Sequence, residues 1–180
     1  VEQIEWRDMV PLADLPGELA RFDISLCPLE LANPFCEAKS ELKYFESALA
    51  GVCLVASPTA PFRRAVGDGV TGFLPPDDAA WTDTLLRLVD DPALRHSVAR
   101  NARNDVLWRF GPRRQAELWA LLLAQLDGGV TAARAADLVL RRGDYPPAGL
   151  PEIPDGELLF SFDRLGEAQV TIGMTSYNYE

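Results

Sequence analysis

The chain is poor in the residues that build metal cages, disulfide frameworks and nucleic-acid grips. It has one histidine, His96, and three cysteines, Cys27, Cys36 and Cys53. The cysteine spacing follows no paired metal-ligand pattern, and an odd number argues against a closed disulfide framework, so we read them as buried free thiols. No cluster of metal ligands emerges, and no metal-ligating residue is assigned. Positive charge is also scarce, since 17 Lys and Arg stand against 27 Asp and Glu for a formal net charge of -10. That is the wrong sign for a nucleic-acid partner, which requires a cationic surface to release counterions from phosphates. Any phosphate site must therefore be a local feature.

Long apolar runs are missing as well. None approaches the ~18 residues of a membrane span, and no basic-then-apolar leader opens the sequence. The expectation is a cytoplasmic protein without a transmembrane segment, peripheral to the inner membrane at most in its intact form. Val1 stands where an initiator methionine would, and a strand-like run leads directly into Glu180. Both ends read as cuts from a longer polypeptide.

What is present is enough apolar material for a core. Apolar residues make up 48% of the chain and charged residues 24%, a balance that excludes wholesale disorder. A length of 180 residues suits one domain, or a compact domain with a tail.

A short helical pattern over Leu15–Phe22 leads into an apolar strand, Asp23-Ile24-Ser25-Leu26-Cys27, closed by Pro28. Leu42, Phe45 and Leu49 recur at helical spacing within Ser40–Ala50, and Gly51 supplies the left-handed residue that ends helices. Val52–Ala56 reads as a buried strand, and Phe62–Val66 as a short segment. Gly67–Pro75 reads as a glycine turn plus one more short strand. Asp77-Asp78 predicts a helix start running to about Val89, and Asp91-Pro92 another running to about Trp108. A third helix fits Arg113–Leu126. Alternation of helices with apolar strands implies an α/β fold on a parallel sheet. Trp81, Trp108 and Trp119 fall on these helices, where core packing is favoured over sugar stacking. His96 lies on the second, with no Ser or Cys partner evident, and receives no catalytic role.

A weaker helix over Thr131–Arg141 precedes Tyr145-Pro146-Pro147, with further prolines at Pro151 and Pro154, a composition that suits a linker. Short strands are expected at Glu157–Phe162 and Gln169–Met174. The layout is thus a first domain over 1–127, a helix and Pro-rich linker over 128–166, and the first strand of a second unit over 167–180.

One constellation carries chemistry. If Lys39–Ala50 is helical, Lys39, Lys43 and Glu46 lie within about 60° of arc. Lysines in a first turn oppose the helix dipole, which an external anion would resolve. A diphosphate could accept bonds from amides near Ser40, Glu41 and Leu42 while Lys39 and Lys43 neutralise it, and Glu46 could hold ribose hydroxyls. The alternative is a solvated face on which Lys43 pairs with Glu46 or Glu41 and no ligand is needed. Placement favours binding, because ligands of parallel α/β sheets gather at the carboxyl ends of strands, where this helix begins.

The segment Asn33-Pro34-Phe35-Cys36-Glu37-Ala38-Lys39-Ser40-Glu41-Leu42-Lys43-Tyr44-Phe45-Glu46, followed by Ala50-Gly51, resembles the donor-site region of retaining glycosyltransferases with two Rossmann-like domains (GT-B) of the group 1, family 4 type. The resemblance continues through Val55-Ala56-Ser57, Pro61-Phe62 and Asp68–Leu74, covering about Val10 to Leu126. Many similar members carry a Lys-Ser-x-Leu-Lys-x-x-Glu run, which Lys39–Glu46 matches at every fixed position. The resemblance implies a partial, N-terminally truncated Rossmann-like donor domain, with Glu46 on the ribose and amides near Ser40–Leu42 on phosphate and sugar. The family's common second glutamate falls at Ala38, with Glu37 adjacent, so Glu37 joins the binding candidates. The phosphate-contacting residues of earlier strands and the acceptor-binding half would precede Val1, so this piece is not expected to turn over alone and its catalytic residues stay unassigned.

The implied activity is transfer of a hexosyl group from a nucleoside diphosphate sugar to a glycan or lipid-linked acceptor, with no tightly bound cofactor. The last run, Val170–Glu180, is similar to the first strand of a family 2 glycosyltransferase with the single-domain GT-A fold, which would give Thr175 and Tyr177 nucleotide contacts. Two modules in tandem would suit synthesis of a surface polysaccharide. A sugar-nucleotide epimerase on the same scaffold and a non-catalytic interaction module are the alternatives.

Overall fold

A computed structural model describes residues 4–126 and 172–174 of the chain. The order is α1 (Leu15–Leu19), β1 (Ile24–Cys27), α2 (Pro34–Glu37), α3 (Leu42–Leu49), β2 (Cys53–Ala56), α4 (Ala60–Ala65), α5 (Asp78–Asp90), α6 (Pro92–Phe110), α7 (Pro112–Leu126) and β3 (Ile172–Met174). The helix expected over Thr131–Arg141, the Pro-rich linker, the strand at Glu157–Phe162 and the proposed contacts of Thr175 and Tyr177 lie outside the described residues.

Local signals start and stop several helices as the sequence predicts. Asp77 accepts a hydrogen bond from the Ala80 N–H at 2.9 Å, and Asp91 accepts one from the Leu94 N–H at 2.9 Å, with Pro92 in the first turn of α6. Each satisfies an amide that has no carbonyl partner inside its helix. Gly51 adopts φ +74° directly after α3, a conformation that other residues adopt only with strain.

The three strands form one parallel sheet in the order β2-β1-β3. Ile24 pairs with Cys53 and Cys27 with Ala56 on one side of β1, while Ile24 pairs with Ile172 on the other. All four residues of β2 are buried, as a strand covered on both faces requires. Strand alternation then divides the core. Leu54 and Ala56 join Tyr44, Ala48, Phe62 and Val106 in one cluster, and Cys53 and Val55 join Ile24, Phe73, Leu88 and Val98 in the other. Helix α6 serves both clusters, through Val98 on one side and Ala102 and Val106 on the other.

The α/β parallel sheet flanked by helices is the expected fold class, and four local readings need correction. The strand expected within Gly67–Pro75 is reduced to bridges, because the Val70 and Thr71 N–H groups both turn back to the Gly67 carbonyl and only Phe73 reaches β2. The helix expected from Ser40 begins at Leu42, so Lys39 and Ser40 precede it. Trp81 packs against the core as expected, but Trp119 on α7 is 62% exposed. Of the three thiols only Cys53 is buried, while Cys27 and Cys36 are half-buried, and all three are free.

Ile172–Met174, which falls in the run read as the first strand of a second unit, hydrogen-bonds along β1. A Cβ on Gly173 would collide with the ring of Phe22, just before β1. Among the described residues, no helix is long and apolar enough to cross a membrane, and no group of three or more His, Cys, Asp and Glu side chains is arranged to hold a metal.

Candidate functional site at the carboxyl end of the sheet

Strands β1 and β2 run parallel, so the loops that follow them emerge on one side of the sheet and are stitched together there. The Ser57 N–H donates to the Cys27 carbonyl at 3.0 Å, and the Leu29 N–H donates to Ser57 Oγ at 2.8 Å. Asn33 opens α2 by accepting from the Phe35 N–H at 3.0 Å, with Pro34 in the first helical position. This cap-plus-proline pair is a helix-start signature present in the sequence, which apolar periodicity does not detect in a single turn.

Helix α2 carries Glu37, whose Oε2 accepts from the Ala60 N–H at 3.0 Å, 23 residues away. The carboxylate thereby supplies a partner to the first residue of α4, whose N-cap residue Thr59 makes no side-chain cap bond. Sequence reasoning placed Glu37 among the binding candidates, and the structure gives it this main-chain partner.

Helix α3 begins differently. Glu41 stands at the N-cap position without a side-chain cap bond, and among the described residues the N–H groups of Ser40, Glu41 and Leu42 donate no hydrogen bond. Ser40 is exposed and Leu42 is half-exposed. Free amides at a helix start carry partial positive charge and suit an anion.

The lysines and Glu46 border that start. Lys43 Nζ lies 3.1 Å from Glu46 Oε2, one helical turn apart, as the ion-paired alternative anticipates. Lys39 Nζ lies 5.0 Å from the centroid of the Phe35 ring. The Cys27 thiol, at the end of β1, ties the group to the sheet. Burial pushes its pKa up, against the lowering charges of Lys43 and Lys39, while Cys36 and Glu46 act upward. The Cys27 thiol feels the charges of all four groups, so Lys39, Lys43, Cys36 and Glu46 lie within electrostatic reach of the end of β1.

The site helix is anchored from behind. Tyr44, fully buried, donates its hydroxyl to Asp105 of α6 at 2.6 Å, and Arg109 bridges Asp105 and the Ala65 carbonyl at 2.7 and 2.6 Å. Asp105 and Arg109 have the i,i+4 spacing of a helical ion pair, but no spacing rule joins them to Tyr44, 61 residues from Asp105, or to Ala65, 44 residues from Arg109. Apolar periodicity points to Leu42, Phe45 and Leu49, yet Leu42 and Leu49 are about half exposed and the buried face of α3 is Tyr44, Ser47 and Ala48. His96 is exposed on α6.

A family model described as "Glycosyl transferases group 1" matches residues 1–91, just over half of the 180-residue chain. The chain belongs to the group 1 glycosyltransferases. The matched span includes α3 and both loops at the carboxyl end of the sheet. A search of curated proteins finds no match. Among solved structures, this group 1 chain is similar to the C-terminal domain of a glycosyl transferase group 1 family protein (LpcC) from Francisella tularensis, at 18% identity and a TM-score of 0.47. The alignment covers 59% of this chain and 53% of that one, so the chain spans about half the length of the solved relative.

Proposed function

We propose that this chain holds the donor of a glycosyltransferase, a nucleoside diphosphate sugar, at the carboxyl ends of β1 and β2. The observation that carries the reading is the convergence on one strand end of two lysines, a carboxylate and the uncapped start of α3. The diphosphate meets the amides of Ser40, Glu41 and Leu42 and the ammonium groups of Lys39 and Lys43, and Glu46 accepts the ribose hydroxyls. Positive charge at the leaving diphosphate lowers the barrier to its departure, because negative charge grows there as the glycosyl bond breaks. The sugar transferred is a hexosyl group and the acceptor a glycan or lipid-linked glycan of a surface polysaccharide. No resident metal or cofactor enters the reading.

The Lys43–Glu46 pair supports a second reading, a non-catalytic module whose charged face is complete without a ligand. Calorimetric titration with UDP, GDP and ADP separates the two. The donor reading expects one nucleotide to bind, with Glu46→Ala and Lys43→Ala each weakening it by about tenfold or more, as loss of a charge-assisted hydrogen bond requires. Absence of any heat of binding at millimolar nucleotide favours the interaction module.

A further inference from the structure

Phe35 joins neither core cluster and is 62% exposed. A single exposed ring is ordinary on a protein surface, but this one is held firmly. Asn33 accepts from the Phe35 N–H at 3.0 Å and donates through Nδ2 to Glu30 at 3.1 Å, with Pro34 fixing the backbone between them. At the far end of α2, Glu37 is bonded to the Ala60 N–H at 3.0 Å. Both ends of this single turn are thus tied down. Over the ring lies Lys39 Nζ, 5.0 Å from its centroid. The attraction of an ammonium for an exposed ring is weak, and a charge-assisted bond to phosphate exceeds it. A diphosphate at the start of α3 therefore draws Lys39 away, and the face of the ring that the lysine covers is released.

The order of groups along a nucleoside diphosphate sugar decides what reaches that face. With the ribose at Glu46 and the phosphates at the amides of Ser40, Glu41 and Leu42, the ligand runs along α3 toward its start. Leu42 and Glu46 stand about 6 Å apart along the helix axis, comparable to the span from a ribose to the outer phosphate. The group beyond that phosphate is the sugar, and the residues before Ser40 are Lys39 and those of α2. A hexopyranose presents a face of weakly positive C–H bonds, which suits the negative face of an aromatic ring as the ammonium does. We infer that the ring of Phe35 is the platform for the hexosyl group of the donor, exchanged from Lys39 to the sugar as that lysine moves to the diphosphate. The inference rests on the donor-site reading and adds to it a contact that only the sugar makes.

Phe35→Ala removes the platform and also frees Lys39. The freed lysine strengthens binding of nucleotide and nucleotide sugar alike, by about fivefold at most. The ratio of the two affinities therefore reports the sugar contact alone, and loss of an aromatic contact lowers it by about two- to tenfold. Phe35→Trp keeps an aromatic face and keeps the ratio. Lys39→Met weakens both ligands together and also leaves the ratio in place.

The experiment titrates the wild-type chain and these three variants by calorimetry with UDP, GDP and ADP, and with UDP-glucose, GDP-mannose and ADP-glucose. A lower ratio of nucleotide-sugar to nucleotide affinity in Phe35→Ala, with the ratio kept in Phe35→Trp and Lys39→Met, supports the platform. An unchanged ratio in Phe35→Ala, or an equal fall in either of the other variants, overturns it and leaves the donor site standing. So does a wild-type chain that binds a nucleotide and none of the nucleotide sugars. If the wild-type chain binds no nucleotide, the platform and the donor reading both fall.

Discussion

The hydroxyl of Tyr44 donates a 2.6 Å hydrogen bond to Oδ2 of Asp105, 61 residues further along the chain. Burial, and after it the charge of Asp105, pushes the Tyr44 phenol well above its ordinary value of 10.0, so it remains a donor throughout the neutral range. Arg109 donates to the same carboxylate at 2.7 Å. Helix α3, which carries Lys43 and Glu46, has only eight residues and no side-chain cap. A helix that short is held by packing more than by its own propensity, and this network is part of that packing.

Tyr44→Phe should lower stability by about 1–3 kcal/mol, because Asp105 keeps Arg109 but loses its neutral donor in a buried setting. Urea unfolding reads this as a lower midpoint at constant slope. The raised pKa adds a second check. Its contribution to stability is fully present below pH 10 and declines as pH rises past that value, and Tyr44→Phe should lack this decline. An unchanged midpoint would show that the bond contributes nothing net.

Two glycines should respond to alanine for different reasons. At Gly72 a Cβ would come within 2.9 Å of Val66 Cγ1 and 3.2 Å of the Leu54 carbonyl, against the buried strand β2. Gly72→Ala should therefore cost about 1–3 kcal/mol through crowding. Nothing lies within 4 Å of a Cβ at Gly51, whose φ of +74° is the whole constraint. Gly51→Ala should cost about 1–2 kcal/mol from the left-handed backbone alone. Thermal melts of Gly51→Asn discriminate, since asparagine tolerates that conformation and should recover part of the loss; equal losses for Ala and Asn would refute the backbone account.

Cysteine chemistry reports on the site directly. Cys53 is buried within β2 and should resist alkylation until the chain unfolds. Cys27 is half-buried, and its raised pKa keeps it mainly a thiol at neutral pH, so its modification should be slow at pH 7 and accelerate only above pH 9, its ordinary value. A nucleoside diphosphate seated against Lys39 and Lys43 should slow modification at Cys27 further. Peptide mass mapping after timed iodoacetamide exposure measures each site, and equal rates with and without a nucleotide that calorimetry shows to bind would place the ligand elsewhere.

Some of the site was legible before the fold was known. The run Lys39–Glu46 names its own charged residues, and an apolar strand followed by a helix start marks where ligands of parallel sheets collect. The helical premise behind it was only partly right, since Lys39 stands in the turn after α2, with its N–H bonded to the Cys36 carbonyl, and α3 begins three residues later. The three charged residues nevertheless lie within electrostatic reach of the end of β1. Asn33-Pro34 was an available signal for α2 that the apolar-periodicity criterion ignores, because a single turn has no period to detect.

The sequence by itself determined where most helices and strands begin and end. An Asp that caps the next amides, a proline in a first turn, a glycine after a last turn and an unbroken apolar run each act within a few residues. It also determined that any anion site must be local, since net charge follows from composition alone. Only the tertiary structure decided that Lys43 meets Glu46 while Lys39 meets Phe35, that Glu37 serves the amide of Ala60, that Tyr44 is fastened to Asp105, and that Ile172–Met174 lies along β1. Those contacts depend on which rotamers and neighbours remain once the two clusters astride β2 have packed, and packing joins residues by proximity in space, which chain spacing does not encode.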